Sequence, residues 1–151
     1  MDKIPVILQT TKDFLAQLGF TKEITVDVKE EDDHYSITLK TDDPALLIGY
    51  HGNTLSGLQM FLGQHLHKQF DEWINITVDV NDYRQRREQS LKTLADSTVE
   101  QVLGAKQAYI LPPMTAAERR VIHMYLAEHP QVTTASSGEG RDRSVIISPK
   151  V

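Results

Sequence analysis

The sequence contains no cysteine. That removes disulfides, thiolate nucleophiles and cysteine-ligated zinc or iron–sulfur centres, and it agrees with a reducing compartment. No apolar run approaches the roughly 18 residues that a membrane span requires. The opening Met1-Asp2-Lys3-Ile4-Pro5 has neither a basic leader nor an apolar stretch for a signal peptide. The expected location is cytoplasmic, with no membrane partner. Excess positive charge is also missing: 16 Lys+Arg stand against 21 Asp+Glu, a net of −5. A basic body that coats nucleic acid indiscriminately is excluded. The deficit is local, however. Residues 1–48 hold 5 Lys+Arg and 10 Asp+Glu, whereas residues 49–151 hold 11 of each, so a basic face is available only in the later part. What is present, 40% hydrophobic and 25% charged residues among 151, is the composition of an ordinary globular protein. The length suits one domain or two small ones.

Pattern divides the chain into two halves near Asn81. Pro5 followed by Val6, Ile7, Phe14, Leu15 and Leu18 predicts a helix stopped by Gly19. Ile24, Val26, Val28 and then Tyr35, Ile37, Leu39 alternate with polar residues as two strands, joined by the solvated acidic turn Glu30-Glu31-Asp32-Asp33. Asp42 or Asp43 is expected to cap a short helix opened by Pro44. Gly49-Tyr50-His51-Gly52 interrupts it, and a longer helix carries Leu55, Leu58, Leu62, Leu66 and Phe70. A third strand over Ile74–Val80 follows. Asn81 is expected to cap a long helix from about Asp82 to Leu103, ended by Gly104. Beyond it come a short strand at Ala108–Leu111, the breaker Pro112-Pro113 and the capping box Thr115-Ala116-Ala117-Glu118. That box opens a helix to about Glu128. Two strands, near Gln131–Ala135 and Arg143–Ser148, close the chain around a turn at Ser136–Asp142.

Two places carry chemistry. In the Gly-x-x-Gly turn, glycine permits a tight bend and leaves no Cβ in a ligand's way. The helix that starts there directs free N–H groups and the positive end of its dipole outward, which suits a phosphate. The order strand–strand–helix–GxxG–helix–strand is that of a minimal KH core, whose loop clamps about four nucleotides. Tyr50 and His51, between the glycines, can hydrogen-bond a phosphate or stack on a base, but neither is a permanent cation. Asp at Gly52 is expected to abolish binding by charge repulsion without unfolding the domain. Ile48, Leu55 and strand residues are candidates for the apolar wall of the groove. The second place is the Arg-x-x-x-His helix. Arg119 and His123 share one face, Arg120 lies beside them, and the turn Ser136-Ser137-Gly138-Glu139-Gly140 with Arg141 and Arg143 adds backbone amides and guanidinium forks.

Three stretches, LLIGYHGNTLSGLQMFL (46–62), VDVNDYRQRREQSLKTLA (78–95) and PPMTAAERRVIHMYLAEHPQVTTASSGEGRDRSVIISP (112–149), resemble the Jag/KhpB family of bacterial RNA-binding proteins, also called SpoIIIJ-associated proteins. The resemblance spans nearly the whole chain in the same order. It implies an α+β fold: a type II-like KH domain (α-β-β-α-α-β, residues 1–80), joined by a long helix to an R-three-H domain over 81–151, with helices on a three-stranded sheet. It implies Gly49 and Gly52 as the KH loop, Arg119 and His123 as the signature pair, and Ser136 and Arg143 as further positions of that pattern. Arg84, Arg86 and Arg87 match the family's basic start to the linking helix. The implied ligand is single-stranded RNA or single-stranded DNA, and a second small KH protein is an implied partner. Family loops usually carry Lys or Arg where this chain has Tyr50-His51. At 151 residues, the N-terminal Jag domain and its linker are expected to be lacking.

Other chemistries fit less well. Ser136 or Ser137, His123 and Asp142 are the ingredients of a nucleophilic triad, but no Gly-x-Ser-x-Gly elbow is present. Gly138-Glu139-Gly140 has neither the spacing nor the lysine of a P-loop. His65 and His67 diverge on a helix, and there is no His-Glu-x-x-His. The sequence therefore reads as a single-strand binder without catalytic activity, metal or cofactor, its two weak sites acting together on one strand. The alternative is a protein-interaction adaptor built on a KH-like fold.

Overall fold

The computed structural model describes residues 2–20 and 23–151. Its contacts divide the chain into two units, Met1–Arg84 and Gln85–Val151. The whole is a mixed α+β protein, and no helix among the described residues is long and apolar enough to cross a membrane.

The first unit runs α1 (Ile4–Gln17), β1 (Thr25–Glu31), β2 (His34–Lys40), α2 (Ala45–Ile48), a 3₁₀ turn (Tyr50–Gly52), α3 (Asn53–Phe70) and β3 (Asn75–Val80). Its sheet has the order β1-β2-β3. The hairpin pair is antiparallel, with Val28 opposite Ile37, and β3 lies parallel to β2, with Val78 beside Ile37. The parallel pairing follows from the intervening helices, since only a crossover can return the chain in the same direction. One face of the sheet is covered by Ile7 and Leu15 of α1 and by Leu55, Leu58, Leu62 and Leu66 of α3, all buried. Each such leucine contributes about 1.5–3 kcal/mol by leaving water. The acidic run ends as expected in a tight turn, with Asp32 and Asp33 at φ 49° and 60°.

The second unit takes most of α4 (Tyr83–Ala105), then β4 (Tyr109–Ile110), α5 (Ala116–Leu126), β5 (Val132–Ser137), a 3₁₀ turn (Gly140–Asp142) and β6 (Ser144–Pro149). Its sheet order is β4-β6-β5, both pairings antiparallel. Leu91, Ala95, Val99 and Val102 of α4 form one core with Ile122 and Leu126 of α5 and with Val132, Val145 and Ile147 of the sheet. The Thr115–Glu118 capping box is complete.

Several local expectations are corrected. Neither Asp42 nor Asp43 caps α2: the N-cap is Pro44, with no side-chain cap, and the Asp43 N–H donates to Thr41 Oγ1 at 3.3 Å. Asn81 stands two residues ahead of α4. It sits at φ 49° and clamps Thr41 from both sides, accepting from its N–H at 3.1 Å and donating to its carbonyl at 2.7 Å. Gly104 does not stop α4, which runs to Ala105, and Lys106 takes the left-handed position at φ 53°. The Ala108–Leu111 strand shrinks to two residues that pair with β6.

Candidate nucleic-acid interface

The Gly49–Gly52 bend joins the C-terminus of α2 to the N-terminus of α3. Gly49 closes α2 by donating its N–H to Ala45 O at 2.9 Å. It lies at φ 69°, ψ −170°, a region essentially restricted to glycine, and a Cβ there would overlap the Thr54 hydroxyl. Gly52 lies at φ 80°, and its Cβ would stand 2.9 Å from Tyr83 Cε1. Gly52 is buried, so a substitution there strains the backbone and presses on the Tyr83 ring as well as adding charge. Tyr50 is 75% exposed, and its ring stacks on His51 at 4.0 Å. The loop therefore presents a flat aromatic surface in place of a cation at the start of an 18-residue helix.

A groove of about 440 Å³ runs between α3 and β3, lined by Gln59, Met60, Gly63, Gln64, Trp73 and Asn75 among others. At Gly63 a Cβ would meet Ile76 at an ordinary 3.9 Å, so the approach of the helix to the strand does not depend on glycine there. The edge of β3 is sealed at one point. Gln59 Oε1 accepts from the Val78 N–H at 3.0 Å and from Arg84 Nη2 at 2.9 Å, while Arg84 Nε donates to Val78 O at 3.1 Å. This bridge protects an edge strand from adventitious pairing. It also engages the Arg84 guanidinium inside the unit. Leu55, one candidate for the groove wall, is only 1% exposed and belongs to the core, and Ile48 packs against that core.

In the second unit, α5 gathers the signature pair on one face. His123 Nδ1 lies 2.7 Å from Thr134 Oγ1 and Nε2 lies 2.8 Å from Ser136 Oγ, alternate residues of β5 that face the same side. Burial, and then the positive charge of Arg119, hold the His123 pKa below 6.5. The neutral ring therefore serves one hydroxyl as donor and the other as acceptor. Arg119 Nη1 donates to Met114 O at 2.8 Å, the Met114 N–H donates to Arg143 O at 3.2 Å, and Arg143 Nη1 donates to Gly138 O at 2.7 Å. That chain of bonds ties Arg119, Arg143 and the glycine turn to one end of the sheet. Gly138 is required there: at φ 94°, its Cβ would stand 3.0 Å from Asp142 O.

The remaining cations are dispersed. Arg87 Nε pairs with Glu118 at 2.7 Å, and Glu118 is only 6% exposed, so this arginine balances a buried carboxylate. Arg120 lines a different groove, between α4 and α5, with Lys92, Met124 and Tyr125. Arg86 and Arg141 are exposed. The α3–β3 groove was not read from sequence. Its signal was an indole in the polar turn Asp71-Glu72-Trp73.

A family model described as the R-three-H domain matches residues 89–149, which include Arg119, His123, Ser136 and Arg143. Proteins named RNA-binding protein KhpB are similar over most of the chain. The one from Clostridium symbiosum is 36% identical over 133 residues, 88% of this chain and 60% of the relative. The one from Bacillus subtilis is 37% identical over 131 residues, 85% of this chain and 62% of the relative. The one from Lactiplantibacillus plantarum is 35% identical over 132 residues, 87% of this chain and 40% of the relative. The chain thus spans between 40% and 62% of the length of these curated relatives. The chain is thus similar over most of its own length to proteins of that name, at 35–37% identity, and its residues 89–149 match the R-three-H domain.

Proposed function

We propose that this protein binds single-stranded nucleic acid, RNA above all, through two sites carried on one chain, and that it catalyses no reaction. The observation that carries the reading is the Gly49–Gly52 bend, held open by two glycines at positive φ on the N-terminus of α3. The names of the relatives and the R-three-H match agree with it. Residues 1–80, with antiparallel β1–β2 and parallel β2–β3, are read as a type II-like KH domain. Its loop holds about four nucleotides along the α3–β3 groove. Residues 81–151, including the linking helix, are read as the R-three-H domain. There Arg119 and Arg143 meet phosphate oxygens, and His123 sets the Ser136 hydroxyl to do the same. Arg84 and Arg87, bonded within their units, orient backbone and helix and do not reach for phosphate. The protein acts in the cytoplasm, with a second small KH protein as its partner.

The neutral centre of the loop favours one rival, an adaptor that binds protein and no polynucleotide. A titration with single-stranded RNA, single-stranded DNA and duplex DNA at two salt concentrations separates them. A single-strand binder gains affinity as salt falls, with a slope of about −0.7 per phosphate contact, and leaves duplex unbound. An adaptor shows no single-strand affinity even at low salt.

A further inference from the structure

We propose that Trp73 is a base-stacking platform that adds one nucleobase subsite to the end of the α3–β3 groove. The inference rests on the single-strand reading above. Trp73 is 75% exposed, and an indole offers a flat π-face on which a second ring can stack. The ring is not loose. Its indole lies parallel to the His67 imidazole, 4.1 Å away with 3° between planes. His67 is half-buried on the last turn of α3, and its Nδ1 is buried without a hydrogen-bond partner. One indole face is thereby covered by the protein, and the side chain's exposure leaves the other for a second ring. Holding the platform in advance removes an ordering cost that binding would otherwise carry.

The lining decides the class of ligand. Trp73 borders the groove beside Met60 and Ile76, which supply apolar surface, and beside Gln64 and Asn75, which supply exposed amides. A nucleobase has an apolar face and a polar edge, and needs both. Gln59 is not available to it, since its Oε1 holds Val78 and Arg84. None of the residues lining the groove is Lys, Arg, Asp or Glu. Its one ionisable side chain, His34, is engaged with Thr77 Oγ1 at 2.8 Å, so neither a phosphate nor a charged peptide finds a permanent counter-charge there. The groove therefore takes bases while the GxxG bend takes the backbone. Its contribution to affinity is independent of salt, unlike that of a phosphate contact.

Trp73 is the single tryptophan of the chain, so its emission reports the subsite directly. The full chain is titrated with a fluorophore-labelled ten-nucleotide single-stranded RNA, followed by anisotropy and, with unlabelled RNA, by tryptophan emission. Emission is expected to be quenched over the same concentration range as the anisotropy change. Trp73→Ala is expected to weaken binding roughly tenfold, within the range of a lost base–aromatic stack, by the same factor at low and high salt. Trp73→Phe recovers part of the loss. Circular dichroism verifies that the variants are folded, and the quench in the unaltered chain tests the subsite even if they are not. Unchanged emission at saturation, with Trp73→Ala binding as tightly as the parent, overturns the subsite while leaving single-strand binding in place. A change in salt slope in Trp73→Ala overturns the base-only assignment. No anisotropy change at low salt overturns the single-strand reading, and the subsite with it.

Discussion

His123 and Ser136 meet at 2.8 Å between Nε2 and Oγ, while the other ring nitrogen lies 2.7 Å from Thr134. The pair fastens α5 to β5, and only a neutral ring can donate at one nitrogen and accept at the other. Because burial, then Arg119, lower the pKa from 6.5, the unfolded chain takes up a proton first as pH falls. The contribution to stability is complete above roughly pH 6.5. It is lost as pH drops from there through the lower folded value. Thermal unfolding at pH 7.5 and pH 5 should show a fall in midpoint that His123→Gln diminishes. Equal pH dependence in both proteins would contradict this role.

Glu118 is buried and receives Arg87 Nε at 2.7 Å as well as the Thr115 N–H at 3.2 Å. Arg87→Met removes a charge-assisted bond from a carboxylate with little access to water. Arg87 is itself partly exposed, so the cost is less than for a fully enclosed pair: about 1–3 kcal/mol. The midpoint of unfolding should fall by several degrees. RNA affinity measured below that transition should stay within twofold; a large loss with unchanged stability would make Arg87 a phosphate ligand instead.

Glycines of α3 and its preceding bend should respond in opposite directions. Gly49→Ala meets both a forbidden backbone region and the Thr54 side chain, and should cost at least about 2 kcal/mol. Gly57 lies inside α3 with nothing within 4 Å of its missing Cβ. Gly57→Ala should stabilise by about 0.5–1 kcal/mol. Urea denaturation of both variants measures the contrast.

Tyr50 tests the loop without disturbing packing, because its side chain is largely exposed. Tyr50→Lys should tighten single-stranded RNA binding several-fold at low salt and steepen the salt slope by about 0.7. Tyr50→Asp should weaken it at least tenfold, with the unfolding midpoint unchanged. Identical affinities for the two variants would remove the loop from the interface.

Much of the molecule was written locally. Alternation in Val26–Val28 and Tyr35–Leu39, the helical spacing of Leu55–Leu66 and the Thr115–Glu118 box each depend on neighbours a few residues away, and these elements formed where expected. The glycines of the 49–52 bend were legible for the same reason, since backbone freedom belongs to the residue itself. Other assignments turned on distant partners. Asn81 reads in sequence as a residue ahead of a helix, and only the fold brings Thr41, just past β2, to both ends of its amide. Arg84 and Arg87 looked like two members of one basic run, yet Val78 with Gln59 takes the first and Glu118 takes the second. Trp73 became part of a groove only once α3 lay along β3 and His67 came beneath its ring. The sequence alone determined the elements and the bend, because those are short-range matters of periodicity, capping and φ. Tertiary structure decided which polar and aromatic groups remain available to a ligand, because hydrogen bonds and ring stacking are settled by whichever partner folding brings within reach.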